Sequence, residues 1–270
     1  MPELPEVESL RRYLVREGLV GSTITSVKLE TKPESPGGTG TIIGANNANG
    51  QTITNITRRG KQLALELNDF ALGVHMGMTG QLHFLLPEEP EPRFTRALFT
   101  LNSGTRLALI DPRRWAKLQR FDSSAEAFDG LGPDALDDRL TADDFAGRFD
   151  KRTGQIKQLL LNQQLIAGIG NIYADESFHR VKISPARRAN TISESKLKSL
   201  HKAVRESLEH ALEFILNNPD EFGRPYIVDA YDDRMQLHRK LGSFCPRCEI
   251  PLVTKKFGGR TAYFCTSCQK

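Results

Sequence analysis

Cys245-Pro-Arg-Cys248 and Cys265-Thr-Ser-Cys268, with sixteen residues between the pairs, hold all four cysteines of the 270-residue chain. C-x2-C-x16-C-x2-C is zinc-ribbon spacing. Each knuckle turns two thiolates toward one point, and four sulfurs close a tetrahedral structural site with no open position for catalysis. The intervening segment fits a hairpin, with Pro251-Leu252-Val253 and Ala262-Tyr263-Phe264 as strands and Gly258-Gly259 at the turn. Two disulfides are the competing reading. The paired spacing and an N-terminus, MPELPEVESL, without a basic leader or apolar stretch both favour one structural zinc ion over disulfides, and a cytoplasmic protein over an exported one.

The ribbon is also where the positive charge collects. Residues 234–270 carry eight Lys and Arg against one acid, Glu249, a balance of +7 in a chain whose formal net charge is +4. The rest therefore sums to −3, and its most acidic part, residues 122–150, holds nine acidic and two basic residues. A basic module on a near-neutral body suits a polyanion partner, and nucleic acid is the commonest. A composition of 39% hydrophobic and 26% charged residues excludes a disordered chain, and no apolar run of about 18 residues marks a membrane span.

Upstream, Pro5 to Glu17 reads as an amphipathic helix on Val7, Leu10 and Leu14, stopped by Gly18. Short alternating runs then recur at 24–29, 62–67, 73–76, 81–85, 97–101, 106–110 and 117–121, separated by Gly, Asn and Pro clusters at 33–50 and 86–93. Such spacing predicts an antiparallel β-sandwich or barrel. From about residue 153 the period becomes helical. Ile156, Leu159, Leu160 and Gln163 share one helix face, Gly168-Ile-Gly170 breaks the helix, and Asn171 begins another. Residues 193–216 form the longest predicted helix, capped by Ser193, with Leu197, Leu200, Val204, Leu208, Leu212 and Ile215 as its stripe. The expected architecture is α+β and multi-domain: a β-sandwich with a leading α-helix (1–121), an acidic linker (122–150), a helical domain (151–233) and a zinc-ribbon hairpin (234–270).

Six short motifs lie along this plan. They are Met1-Pro-Glu-Leu-Pro-Glu-Val-Glu8, Arg58-Arg-Gly-Lys61, His75-Met-Gly-Met-Thr-Gly80, Asp111-Pro-Arg-Arg114, Gly168-Ile-Gly-Asn-Ile-Tyr-Ala-Asp-Glu176, and Gly258-Gly-Arg260 within the ribbon. In content and order the set resembles the Fpg/Nei family of DNA glycosylases, most closely its formamidopyrimidine-DNA glycosylase branch, over nearly the whole chain. The resemblance implies that loss of Met1 frees Pro2 to attack C1′ of a damaged nucleoside. An α-amino group with a pKa of about 8 is partly neutral near pH 7 and so suits the task. It implies Glu3 as the acid that protonates the sugar ring oxygen, Lys61 as a phosphate contact assisting β-elimination, and Arg260 as the phosphate contact supporting δ-elimination. Met78, Arg113 and Trp115, the only tryptophan, match the residues that fill the stack vacated by the extruded base. Asn171, Arg152 and Lys157 match phosphate-holding positions in the helix-two-turns-helix domain. Glu6 reads either as helix N-terminal charge or as a site contact.

The chain departs from the branch at two places. Phe94-Thr-Arg96 stands where a His-x-His pair is usual, making Arg93 or Arg96 the candidate substitute, and 218–233 lacks the usual start and Tyr-Phe run of the lesion-reading loop. The implied function is a bifunctional DNA glycosylase/AP lyase for oxidised purines in double-stranded DNA, working as a monomer. The alternatives are an endonuclease VIII-like preference for oxidised pyrimidines and a non-catalytic, zinc-dependent damaged-DNA-binding protein.

Overall fold

The computed structural model describes residues 2–30, 38–225 and 235–270. They fall into two compact units, one comprising Pro2 with Glu6–Asp129 and the other Glu3–Pro5 with Gly130–Lys270.

In the first unit, Val7, Leu10 and Leu14 are buried on one face of α1 (Leu4–Arg16). The strands are β1 (Ile24–Leu29), β2 (Ile42–Ile43), β3 (Ile53–Arg59), β4 (Gln62–Leu67), β5 (Ala71–His75), β6 (Gln81–Leu85), β7 (Thr95–Leu101), β8 (Arg106–Ile110) and β9 (Lys117–Phe121). They form two sheets, in the orders β1-β7-β8-β6 and β2-β9-β5-β4-β3. All ladders are antiparallel except the short β2–β9 pair, which is parallel and departs from the expected pattern. β3 was not legible in the sequence because it is an edge strand. Only Ile53 and Ile56 are buried in it, so its Thr, Asn and Arg residues mask the alternation.

Residues 122–150 do not form a linker. They contain α2 (Ser124–Ala127), which packs on β5 in the first unit, and α3 (Ala142–Gly147), which packs on the long helix of the second. Their charges are on the surface, while Phe145 and Phe149 are fully buried with ring centroids 5.1 Å apart. Charge composition alone hid this apolar anchor. The second unit continues with α4 (Ile156–Leu160), α5 (Asn171–Arg180) and α6 (Glu194–Asn217), followed by the hairpin of β10 (Val253–Phe257) and β11 (Arg260–Phe264). The predicted stripe of α6 is buried from Leu197 to Ile215, and with Tyr173 and Phe178 of α5 it forms much of the core. Ser193 occupies the N-cap of α6, but its side chain makes no capping hydrogen bond.

Candidate active site and zinc centre

In the first unit the basic hairpin is held from α1. Glu8 accepts from Arg11 (3.0 and 2.8 Å), Arg12 (2.9 Å) and Arg58 Nε (2.9 Å), while Arg58 Nη1 donates to the Gly60 carbonyl at 3.0 Å. Burial pushes the Glu8 carboxyl up, but the three guanidiniums outweigh it and hold the group at about 2. Arg58 is thus the clamp of the two-residue β3–β4 turn, Gly60-Lys61, and Lys61 is 6% exposed. Glu6 is fully buried in the first turn of α1.

Two loops of this unit meet around a buried carboxylate. Asp111 accepts from Thr79 Oγ1 (2.7 Å) and the backbone amides of Arg113 (3.2 Å) and Ala116 (2.6 Å). Gly77, at φ +60°, lies against the second loop so closely that a Cβ there would sit 2.4 Å from the carbonyl carbon of Trp115. Its amide donates to His75 Nδ1 at 3.0 Å. Burial, then Lys117 and Lys61, push the His75 pKa below 6.5, which keeps that nitrogen an acceptor. The result is one exposed rim carrying all three expected stack-filling residues: Met78 at 45% exposure, Trp115 at 39%, and Arg113.

Arg96 does not replace the missing histidine at the surface. It is 4% exposed, donates to the Ala116 carbonyl at 3.2 Å, and shares Glu30 with Arg114. Arg93 is exposed and lies over the Phe94 ring.

The start of the chain belongs with the second unit. Glu3, 3% exposed, accepts from the Ile172 amide at the beginning of α5 at 3.1 Å. The space is made by Gly170, where a Cβ would lie 2.0 Å from the Glu3 carboxyl carbon. Any side chain at residue 170 would expel the carboxylate, which explains the second glycine of Gly168-Ile-Gly170. Pro2, the preceding residue, is buried.

From there α5 ties the unit to the ribbon. Fully buried Asp175 receives Lys157 Nζ, Arg239 Nε (2.9 Å) and the Tyr263 amide (3.0 Å). Arg239 and Asn171 both donate to the Thr261 carbonyl, at 3.2 and 2.8 Å. Two expectations change here. Lys157 is wholly buried in an ion pair, so it is not presented to phosphate, and the Asn171 amide is spent on β11. Both anchor the strand that begins with exposed Arg260, next to the Gly258-Gly259 turn. Arg152 is exposed, with Nε on the Arg148 carbonyl. Asp175, Arg239 and Asp111 were not singled out from the sequence, although Asp175 and Asp111 stand inside the quoted motifs.

The four cysteine sulfurs lie within 4.8 Å of one another, with Sγ separations of 3.9 Å (245–268), 3.5 Å (248–265) and 3.4 Å (248–268). Bonds of ~2.3 Å in a tetrahedron require about 3.8 Å between sulfurs, so the set fits one zinc ion. The Ile250 amide lowers the Cys248 thiol to about 7, while sharing hydrogen bonds with the other sulfurs pushes Cys268 up to about 12. Four thiolates at one point call for a divalent cation.

These modules match known ones in chain order. Residues 1–118 match the formamidopyrimidine-DNA glycosylase N-terminal domain, 131–217 its H2TH domain, and 242–270 the zinc finger found in FPG and IleRS. The fold and its sites therefore define a three-module DNA glycosylase. The chain is 35% identical over 287 residues to the formamidopyrimidine-DNA glycosylase of Pelotomaculum thermopropionicum, covering all of this chain and 99% of that protein. A Lactococcus lactis FPG (MutM) in complex with Fapy-dG-containing DNA is 29% identical, with a TM-score of 0.84 over 99% of this chain and 100% of that one. A MutM bound to DNA containing carbocyclic 8-oxo-G is 28% identical, also at 0.84, with both chains fully covered. The chain belongs to the formamidopyrimidine-DNA glycosylase family.

Proposed function

We propose that this chain excises oxidised purines, formamidopyrimidines and 8-oxoguanine, from duplex DNA and cleaves the strand at the resulting abasic site. The observation that carries this reading is Glu3, sequestered in the space left by Gly170 and held by the Ile172 amide, directly after Pro2. A buried carboxyl held by a backbone amide and directly following a secondary amine in the chain is an acid–nucleophile pair.

With Met1 removed, the lone pair of the Pro2 nitrogen bonds to C1′ and the glycosidic bond breaks, the electron pair leaving with the base. The nitrogen passes its own proton to the departing base, Glu3 gives a proton to O4′ as the C1′–O4′ bond opens, and the lone pair so regained by nitrogen completes an iminium. Loss of a C2′ proton then expels the 3′ phosphate, and a second elimination expels the 5′ phosphate. Water then hydrolyses the iminium, freeing Pro2 and the sugar remnant, and leaves a one-nucleotide gap with phosphate at both ends. Lys61 assists the first elimination through the neighbouring phosphate, and Arg260 the second. Met78, Arg113 and Trp115 fill the emptied stack, with Arg113 toward the orphaned partner base, while Arg152 holds backbone phosphate. The zinc ion, on Cys245, Cys248, Cys265 and Cys268, supplies only a cross-link that folds the ribbon presenting Arg260.

The second half of the lesion-reading segment 218–233, residues 226–233, lies outside the described residues, and the purine preference rests on the relatives' bound DNA. Among the described residues no helix is long and apolar enough to cross a membrane. We place the enzyme in the cytoplasm, acting as a monomer on DNA.

Borohydride trapping on DNA carrying a formamidopyrimidine tests the mechanism. The processed chain should give a covalent adduct, and one with residues added before Pro2, whose nitrogen is then an amide, should give none. An undiminished adduct from the extended chain would overturn the assignment of Pro2.

A further inference from the structure

His179 lies in the last turn of α5, 1% exposed, with Nε2 3.4 Å from the Cys245 sulfur. It is not a fifth ligand. Among the described residues the four sulfurs alone form the mutually close cluster, and the imidazole reaches one of them from outside. The other ring nitrogen, Nδ1, is buried without a hydrogen-bond partner among the described residues. A neutral imidazole carries one N–H, and burying an unpaired donor costs more than burying an unpaired lone pair in a ring already satisfied on its other side. A metal-bound Cys245 thiolate has no hydrogen of its own to share. Both arguments put the proton on Nε2.

We propose that His179 is an outer residue of the zinc centre, donating its Nε2 hydrogen to the Cys245 thiolate and so setting how firmly the metal is held. The same turn of α5 is fastened to the knuckle a second way, since Arg247 Nη1 and Nη2 donate to the carbonyls of His179 and Arg180. The helix that begins at the Glu3 contact thus ends on the zinc site. At its far end, His179 withdraws charge from one sulfur of a dianionic four-thiolate site. Partners of this kind orient their ligand and commonly account for about tenfold or more in metal affinity.

The test is zinc competition with a chromophoric chelator on the full-length zinc-loaded chain. His179→Phe fills the same space without a donor, and its zinc affinity should fall about tenfold. His179→Gln can place an amide N–H near the position of Nε2, and its affinity should stay within about threefold of the parent. With cobalt in place of zinc, the sulfur-to-metal charge-transfer band should move to lower energy in the Phe variant, because the thiolate becomes more electron-rich. Equal zinc affinity in the Phe variant and the parent would overturn the proposal. Long-range proton–nitrogen NMR on the unmodified zinc-loaded chain provides a test independent of folding in the variants. It should show the Nε2–H tautomer, and an Nδ1–H tautomer would also overturn the proposal. None of these readouts depends on glycosylase activity.

Discussion

Asp111 and Asp175 are both buried carboxylates that gather functional loops, but they do so with opposite kinds of partner. Asp111 binds neutral donors, one hydroxyl and two backbone amides, and thereby sets Met78, Arg113 and Trp115 on one rim. Asp175 binds two cations and one amide, and thereby fixes β11 and its leading Arg260 to α5. A carboxylate held by neutral donors leaves behind unmet hydrogen bonds when it is removed. One that neutralises buried cations leaves behind a charge, which costs more.

The largest expected effect is therefore at residue 175. Asp175→Ala strands Lys157, which has no exposure of its own, and should cost about 3–5 kcal/mol in denaturant unfolding. Burial already pulls Lys157 below its usual range, opposed by Asp175, so without the carboxylate it can shed its proton. A lysine whose folded pKa is depressed binds more protons when unfolded, so the variant should recover stability as pH rises. The loss should be smaller at pH 9 than at pH 6. A loss at both pH values no larger than that of Asp111→Ala would show that the two aspartates are alike.

Asp111→Ala comes next. The Ala116 amide, buried with its residue, would lose its acceptor, for roughly 1–3 kcal/mol. The rim should suffer more than the fold. Trp115 is the only tryptophan and is 39% exposed, so its emission reports the rim directly. It should shift to the red in the variant, with DNA affinity reduced, while zinc content stays unchanged. An unaltered Trp115 spectrum would mean that Gly77 packing alone holds the two loops.

The two aspartates also mark how far sequence reading reached. Periodicity located α1, α6 and most of the strands because one face of each is apolar, and cysteine spacing located the zinc site for the same local reason. Resemblance supplied Pro2, Glu3, Lys61 and Arg260. What was missed depends on distant pairing. Lys157 looks like a phosphate-seeking lysine until Asp175, eighteen residues on, and Arg239, sixty-four beyond that, close around one another. Arg96 looks exposed until β7 turns it inward onto Glu30. Charge was informative in bulk and misleading residue by residue, because a buried ion pair and a solvated cation have the same composition.

The smallest expected effect concerns pH, and it also separates the two regions. The rim depends on His75 Nδ1 accepting from the Gly77 amide, which only the neutral ring can do. Unfolded, this histidine binds a proton near 6.5; folded, burial and the nearby Lys117 and Lys61 delay protonation to lower pH. The unfolded chain therefore carries more protons between the two values, and the stabilisation is complete above 6.5 and lost as pH falls through the folded pKa. Once protonated, the ring turns a donor toward the Gly77 donor and the Met78 turn loosens. Proton NMR of the imidazole should give a His75 midpoint below 6.5, and Gly77 amide protection should fall in step with it. A His75 midpoint at or above 6.5 would remove the pH sensitivity assigned to the rim, whereas the Asp175 network, with no histidine among its partners in the described residues, should keep its amide protection across the same interval.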